Sequence, residues 1–471
     1  MRDLCEAVDG LREGRLQSAE LVREAIARAR LAQLRHNCFV QIDAEGAMAA
    51  AEMADALLQG CAREGVRPPG ALLGVPLAHK DMFEREGRPT SCASKVCEPR
   101  AALGSATVIS RLDLAGAVDL GTLNMAEFAL GATGHNATMG DCRNAWDPQF
   151  ISGGSSSGSA VAVASGAVFA SLGSDTGGSV RIPASANGVI GLKPTYGLIP
   201  RTGSMKLSPS IDVIGPMARS ARDIALLLEV LAGADGLDAC SSSRPRPRYT
   251  QEMSLGVDGL RIGVPRNYFP VGVAPSIRSA MEASLGLLER AGATLVPLDV
   301  PQEVAAMAEL SRAVVYAEAT ALHAAGLRNM GSRYTPQVRL RASTGLGIPA
   351  PVYLEALHWR LPVLRRFVEQ VFSRCDVLQT PTIPIPVPRR DETDVGAGPA
   401  LWELLAQLVR CTAPFNYLGL PAISVPAGLD SRGLPIGAQY VARPFAETVL
   451  LRVAAVQQRE SPLPLPVRAT P

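Results

Sequence analysis

Residues Ile151–Ala186 read ISGGSSSGSAVAVASGAVFASLGSDTGGSVRIPASA. Two glycine–serine clusters, Gly153–Ser159 and Gly173–Ser179, flank a run of mostly small side chains in which Phe169 is the one large exception. Small residues let backbones approach one another and a ligand closely. Successive N–H groups in such turns form a nest that attracts negative charge, whether phosphate or oxyanion. Ser155 and Ser179 each follow a glycine pair, Gly153-Gly154 and Gly177-Gly178.

A serine hydroxyl is a weak nucleophile until a base takes its proton. Histidine is the usual base, but none of His36, His79, His135, His323 and His358 has a catalytic setting in the sequence. Lys80 does. It follows the apolar run of Gly74-Val75-Pro76-Leu77-Ala78-His79-Lys80-Asp81. Burial there depresses a lysine pKa from about 10.4 towards neutrality, and a neutral amine is a base in the serine–lysine variants of triad logic.

Lys80, Gly153-Gly154-Ser155-Ser156 and Gly-Ser-Asp-Thr-Gly-Gly-Ser179-Val-Arg together resemble the amidase signature family, over about Leu72 to Gln457. The resemblance implies a Ser–cis-Ser–Lys triad. Ser179 is the nucleophile, Ser155 shuttles protons across a cis Gly154–Ser155 peptide, and Lys80 is the base. The N–H groups of Thr176, Gly177, Gly178 and Ser179 form the oxyanion hole. Asp175 and Arg181 brace the nucleophile loop, and Asp81 anchors turn backbone. The segment Gly121–Asp141 is similar to the family's acyl-side lining, which makes Met125 a substrate-binding candidate, with Gly153 beside Ser155. Arg360 falls where an arginine for a substrate carboxylate would be useful. Ser157, a glycine in many members, is the one departure in the central stretch.

Composition agrees with an enzyme on small molecules. Lys+Arg 46 against Asp+Glu 44 leaves a net charge of +2, so there is no electrostatic case for nucleic acid as the main ligand. With 47% hydrophobic residues, 4% aromatics, 44 glycines and 36 prolines, the chain suits an α/β protein with many tight turns better than a β-sandwich. The nine cysteines are scattered with no Cys-x-x-Cys pair, which points to free thiols in a reducing compartment and no resident metal. The N-terminus lacks the apolar core of a secretory signal, and no run of about 20 apolar residues suggests a membrane span. These features predict a cytoplasmic protein with no cofactor.

Composition and the absence of an interdomain linker predict one large α/β domain spanning 1–471, and the family resemblance implies a mixed central sheet covered by helices on both faces. The chain divides into N-terminal helices (1–64), a signature core (72–231) and a substrate-determining region (301–415). Two helices are predicted within 3–35, the second capped by Ser18, and a third over 43–59. A strand at Leu72–Leu77 delivers Lys80 just past its end. Ser105 caps a helix to Leu114, a strand follows at 117–120, and Ser159–Ala170 is helical. Further strands are predicted at 189–192, 261–264, 294–298 and 376–380, with two more within 416–437. Helices are predicted at 221–231, 276–291, 446–458, and around 302–330 and 351–374. Cys240–Tyr249 is predicted to be exposed.

The favoured reading is an amidohydrolase that cleaves a small carboxylic amide to acid and ammonia or amine. The second is the amidase subunit of a tRNA-dependent amidotransferase, which Asn124–Asp147 resembles and which implies partner subunits; a homodimer is also open. Against it, Val409 and Arg410 occupy the place where an acidic residue is expected before Asn416. A third, non-enzymatic reading is an inactive scaffold, which the intact triad argues against. Gly154-Ser155-Ser156-Ser157-Gly158 also fits the Gly-x-Ser-x-Gly elbow, with Ser156 as nucleophile. That elbow needs a strand directly before it, and Asn144–Gln149 reads as loop.

Overall fold

The computed structural model describes residues 2–464 and 466. Its strands are β1 (Phe39–Ile42), β2 (Pro76–Lys80), β3 (Val118–Leu123), β4 (Ala170–Asp175), β5 (Ile190–Lys193), β6 (Val213–Ala218), β7 (Arg261–Pro265), β8 (Thr294–Leu298), β9 (Val377–Pro381), β10 (Ala422–Leu429) and β11 (Pro435–Ala442). Eight of them form a mixed sheet in the order β4-β6-β5-β10-β11-β9-β7-β8. The pairs from β4 to β9 are antiparallel, while β7 runs parallel to β8 and β9. The parallel β7 and β8 are joined by the helix Pro275–Arg290, the long crossover that a parallel pair needs.

Side chains alternate across this sheet, and β11 shows what that does. Gln439 accepts from Arg181 Nη1 (2.6 Å) on the face of the helix Arg181–Asn187. Its neighbour Tyr440 turns to the other face, against Ser284 (3.2 Å) and Gln457 of the helices Pro275–Arg290 and Glu447–Glu460. One face thus belongs to the helix Arg181–Asn187 and the loop that carries Ser179. The other carries an apolar layer that includes Ile423, Val425, Leu450 and Ala454.

A separate three-stranded sheet, β1-β3-β2, carries Lys80. It abuts the large sheet at β4, where Phe169 N donates to Pro76 O (3.4 Å) and Leu172 N to His79 Nδ1 (3.1 Å). Burial holds His79 far below its ordinary pKa, at about 3, so its ring stays neutral and can accept that bond. The helix Ser157–Ala164 is buried along its whole length and wedges between the sheets. Gly158 permits this. A Cβ there would sit 2.4 Å from Cys38 O and 2.5 Å from Asn124 O.

Several expectations are corrected. Lys80 ends β2 and does not lie beyond it, because the strand starts later, at Pro76. Ser18 is the first helical residue of Ser18–His36; its hydroxyl donates to Gly74 O (2.7 Å), and Asp55 takes the N–H groups of Ser18 and Ala19 instead. Ser105 accepts from Glu86 N and caps nothing; Ala106 precedes the helix Thr107–Leu114. The central helix stops at Ala164, because Ala170 and Ser171 are taken up by β4. Tyr249 is buried at 1% exposure, while Cys240 is exposed.

Candidate active site

Lys80 reaches the end of a fully buried strand with its ammonium group inside the protein. Nζ lies 2.7 Å from Ser155 Oγ and 2.9 Å from Ser174 Oγ. Burial is the largest influence on it and lowers its pKa to about 7, against smaller opposing pulls from the carboxylates of Asp212 and Asp175. The amine therefore exchanges a proton near neutral pH. Ser155 is fully buried, and the Gly154–Ser155 peptide is cis. Ser156 N donates to Ser179 O (3.2 Å), which ties the two serine loops together one residue from Ser155. Ser179 is half-buried and opens onto a cavity of ≈ 270 Å³ that Thr176 and Gly177 also line.

The loop that carries Ser179 is held by one carboxylate. Asp175 accepts from the N–H groups of Gly178 (2.8 Å) and Val180 (3.1 Å), and from Arg181 Nε (3.0 Å) and Nη2 (2.9 Å). Asn416 Nδ2 adds a further bond to Oδ1 (2.8 Å). Burial alone would raise this carboxyl; the Arg181 guanidinium and these donors outweigh it and hold the group well below the usual carboxylate range. Arg181 is itself fully buried and spends its remaining donors on Gln439, Asn416 and Thr412 O. Gly178 has φ +131°, and a Cβ there would lie 2.4 Å from Thr412 Oγ1, so the turn needs glycine.

This bracing corrects the predicted oxyanion set. Gly178 N–H is committed to Asp175 Oδ1 and is not free for a ligand. The N–H groups of Thr176, Gly177 and Ser179 have no acceptor among the described residues. Thr176 is oriented by its hydroxyl, which donates to Asp212 Oδ1 (2.6 Å). Asp212 also accepts from Leu207 N and Ser208 N (2.8 Å each), and burial raises its pKa to about 6. Asp81 accepts from Ser91 N (3.2 Å) and Ala93 N (3.2 Å), as expected of a turn anchor.

Three substrate-binding candidates lie outside the cavity wall. Met125 is wholly buried in the apolar core, with its carbonyl accepting from Asn136 (2.8 Å). Gly153 packs on Pro183 with φ +70°. Arg360 stacks over Tyr196 (5.0 Å) and donates to Ser210 O, so its guanidinium serves packing between a helix and a loop. Sequence reasoning missed Ser174, the second partner of Lys80, because nothing distinguishes it from the other serines of its cluster. It also missed the cavity arginines Arg312, Arg341 and Arg410. The rival elbow finds no base: Ser156 Oγ exchanges bonds with the Ser174 backbone (3.3 Å), His323 meets Tyr334, and His358 is exposed. Among the described residues no His/Cys/Asp/Glu group is placed to hold a metal, and no helix is long and apolar enough to cross a membrane.

The chain is similar to a glutamyl-tRNA(Gln) amidotransferase subunit from Roseiflexus sp. (strain RS-1), at 38% identity over 97% of this chain and 96% of the relative. Among solved structures it superposes on a vestigial protein complex that bears on the evolutionary origins of an s-triazine catabolic enzyme, with a TM-score of 0.90 and 32% identity, covering 98% of this chain and 100% of that one. It also superposes on native peptide amidase from Stenotrophomonas maltophilia, with a TM-score of 0.84 and 27% identity, covering 99% of each chain. The family model described as Amidase matches residues 20–451, so the chain belongs to the amidase family, hydrolases acting on amide C–N bonds.

Proposed function

We propose that this amidase is a free-standing amidohydrolase that uses Ser179, Ser155 and Lys80 as its catalytic groups. The observation that carries the reading is the buried contact of 2.7 Å between Lys80 Nζ and Ser155 Oγ, one residue from the backbone link to Ser179. Neutral Lys80 takes the proton of Ser155 as Ser155 takes that of Ser179. Ser179 Oγ then bonds to the amide carbonyl carbon. The oxyanion that forms accepts from the N–H groups of Thr176, Gly177 and Ser179; removing one such donor in a comparable hydrolase costs roughly 2.7–4 kcal/mol. As the C–N bond breaks, the proton returns through Ser155 to the leaving amine. Water then attacks the acyl-enzyme along the same proton path and releases the acid.

Substrate choice falls to residues 301–415. The cavity in front of Ser179 draws walls from the helices Val304–Met330, Pro336–Ser343 and Pro399–Val409. Leu405 and Val409 make much of that surface apolar. Among the described lining residues Glu309 is the one carboxylate, and it is paired with Arg312. An α-ammonium group entering this cavity would lose water without gaining an anionic partner, which is costly. That disfavours free glutamine and supports a freely acting amidase.

The relatives' name favours a second reading, in which the chain passes ammonia to partner subunits. Measuring ammonia release by the purified chain from a panel of amides, glutamine included, separates the two. Turnover of simple amides by the chain alone, abolished in Ser179→Ala, supports the first reading. Activity confined to glutamine, or dependent on added partner proteins, supports the second.

A further inference from the structure

The cavity that Ser179 opens onto is apolar on several sides, with Leu130, Ile182, Leu207, Val315 and Leu405 in its walls. Against these stand three arginines, and their donors are not equally occupied. Arg312 is paired with Glu309 on its own helix. Arg410 donates from Nη1 to Tyr268 O (3.0 Å) and from Nη2 to Phe269 O (3.4 Å), which spends both ends of its fork on backbone. Arg341 is different. Among the described residues its side chain makes one hydrogen bond, from Nε to Tyr316 OH (3.3 Å), and joins no ion pair. Both terminal nitrogens are without a protein acceptor among the described residues, while the residue lines the cavity.

Arg341 is also held in place. Its helix, Pro336–Ser343, begins at Thr335, whose N–H (3.1 Å) and hydroxyl both donate to Glu127 Oε2. Glu127 opens the short helical turn that ends at Ala129, and Ala129, Leu130, Gly131 and Ala132 line the cavity with Ser179. At the other end Thr320 Oγ1 donates to Ala342 O (2.6 Å). The guanidinium lies 5.8 Å from the centroid of Tyr316, whose ring meets Trp402 edge-on at 5.4 Å. A fork with free ends, fixed on a tethered helix over an apolar cavity, matches the planar, bidentate geometry of a carboxylate.

We propose that this site selects amides that also carry a carboxylate: the anion is received by Arg341, and an apolar body between carboxylate and amide fills the cavity. The proposal rests on the reading of Ser179 as the nucleophile that faces that cavity. The reaction is ordinary hydrolysis: the C–N bond breaks, water supplies the hydroxyl of the new acid and a proton to the amine, and the Arg341-bound carboxylate is unchanged.

The test compares ammonia release from the ω-amide monoacids succinamate, glutaramate, adipamate and suberamate with release from methyl-terminated alkanamides of equal length. At least one acid amide is expected to show kcat/KM about 10- to 100-fold above its neutral counterpart, the scale of a charge-assisted pair. Arg341→Met should bring that ratio towards one, chiefly through KM, and Arg341→Lys should keep part of it. Calorimetric binding of adipate to the wild-type protein and to Arg341→Met reads the same contact without turnover. Equal or better use of neutral amides by the wild type would overturn the proposal, as would a preference, or adipate binding, that survives Arg341→Met. If release persists in Ser179→Ala, or neither series is turned over, the nucleophile reading fails and takes the proposal with it. The wild-type ratio needs no variant, so a misfolded variant leaves the test intact.

Discussion

In the proposed mechanism Lys80 must be basic enough to take a proton and neutral enough to hold none beforehand. Full burial arranges this by lowering its pKa to about 7. Below that value Nζ is protonated and cannot accept from Ser155, so activity falls as pH falls. The account predicts that kcat/KM rises with pH through about 7 and levels off above it, measured on one amide at constant ionic strength. Lys80→Met should remove general-base catalysis, about 10²- to 10⁴-fold in kcat, and abolish the acid limb. Composition alone would make Lys80 a surface lysine at a strand end. Its place seven residues into Gly-Val-Pro-Leu-Ala-His-Lys identified it, and the structure puts it against Ser155. Ser174 carried no comparable signal, since a serine's partners depend on which backbone lies opposite.

At the scale of elements, the turn between β4 and the helix Arg181–Asn187 is organised by a buried ion pair whose members are both fully inaccessible. Removing one partner leaves the other charge stranded, which costs about 3–5 kcal/mol. Arg181→Met is therefore expected to lower the urea midpoint markedly, with activity falling as the loop relaxes. Gly178→Ala forces a side chain into a φ of +131° and against Thr412. A backbone misfit of this kind costs about 1–3 kcal/mol; the expected outcome is at least a tenfold loss in kcat, read in the same ammonia assay. The Gly-Ser-Asp-Thr-Gly-Gly-Ser-Val-Arg run made the turn legible before the structure. The strands around it were not legible. β4 and β6 are buried on both faces and carry glycine, serine and proline, so neither alternation nor a β-branched run marks them. β1 is four residues long and lies against β3.

Over the whole molecule, a large mixed sheet with helices on both faces was implied by the resemblance carried by the Lys80, Ser155 and Ser179 motifs, while the residue pattern itself showed separate strands and helices of an α/β chain. The second sheet was not, because its strands lie far apart in sequence and only folding brings β1 to β3 and β2. Residues 301–415 show the same limit. Their long helices read correctly from periodicity, but periodicity does not say which arginine meets the cavity. Arg360 packs on Tyr196, whereas Arg341 lines the cavity. Since every group proposed to act in the reaction lies in this one chain, the purified protein is expected to release ammonia from simple amides without partners. Glutamine should be used at least about tenfold less well than the best amide, because among the described residues that line the cavity no unpaired carboxylate awaits its ammonium group. Parallel ammonia assays on equal enzyme check both statements.

The most direct measurement is to label the protein with a fluorophosphonate, which bonds to an activated serine, and to map the adduct by peptide mass spectrometry. The account predicts one adduct, on Ser179, formed at least 100-fold more slowly in Lys80→Met. An adduct on Ser155 or Ser156, or labelling of Ser179 at an unchanged rate without Lys80, would contradict it.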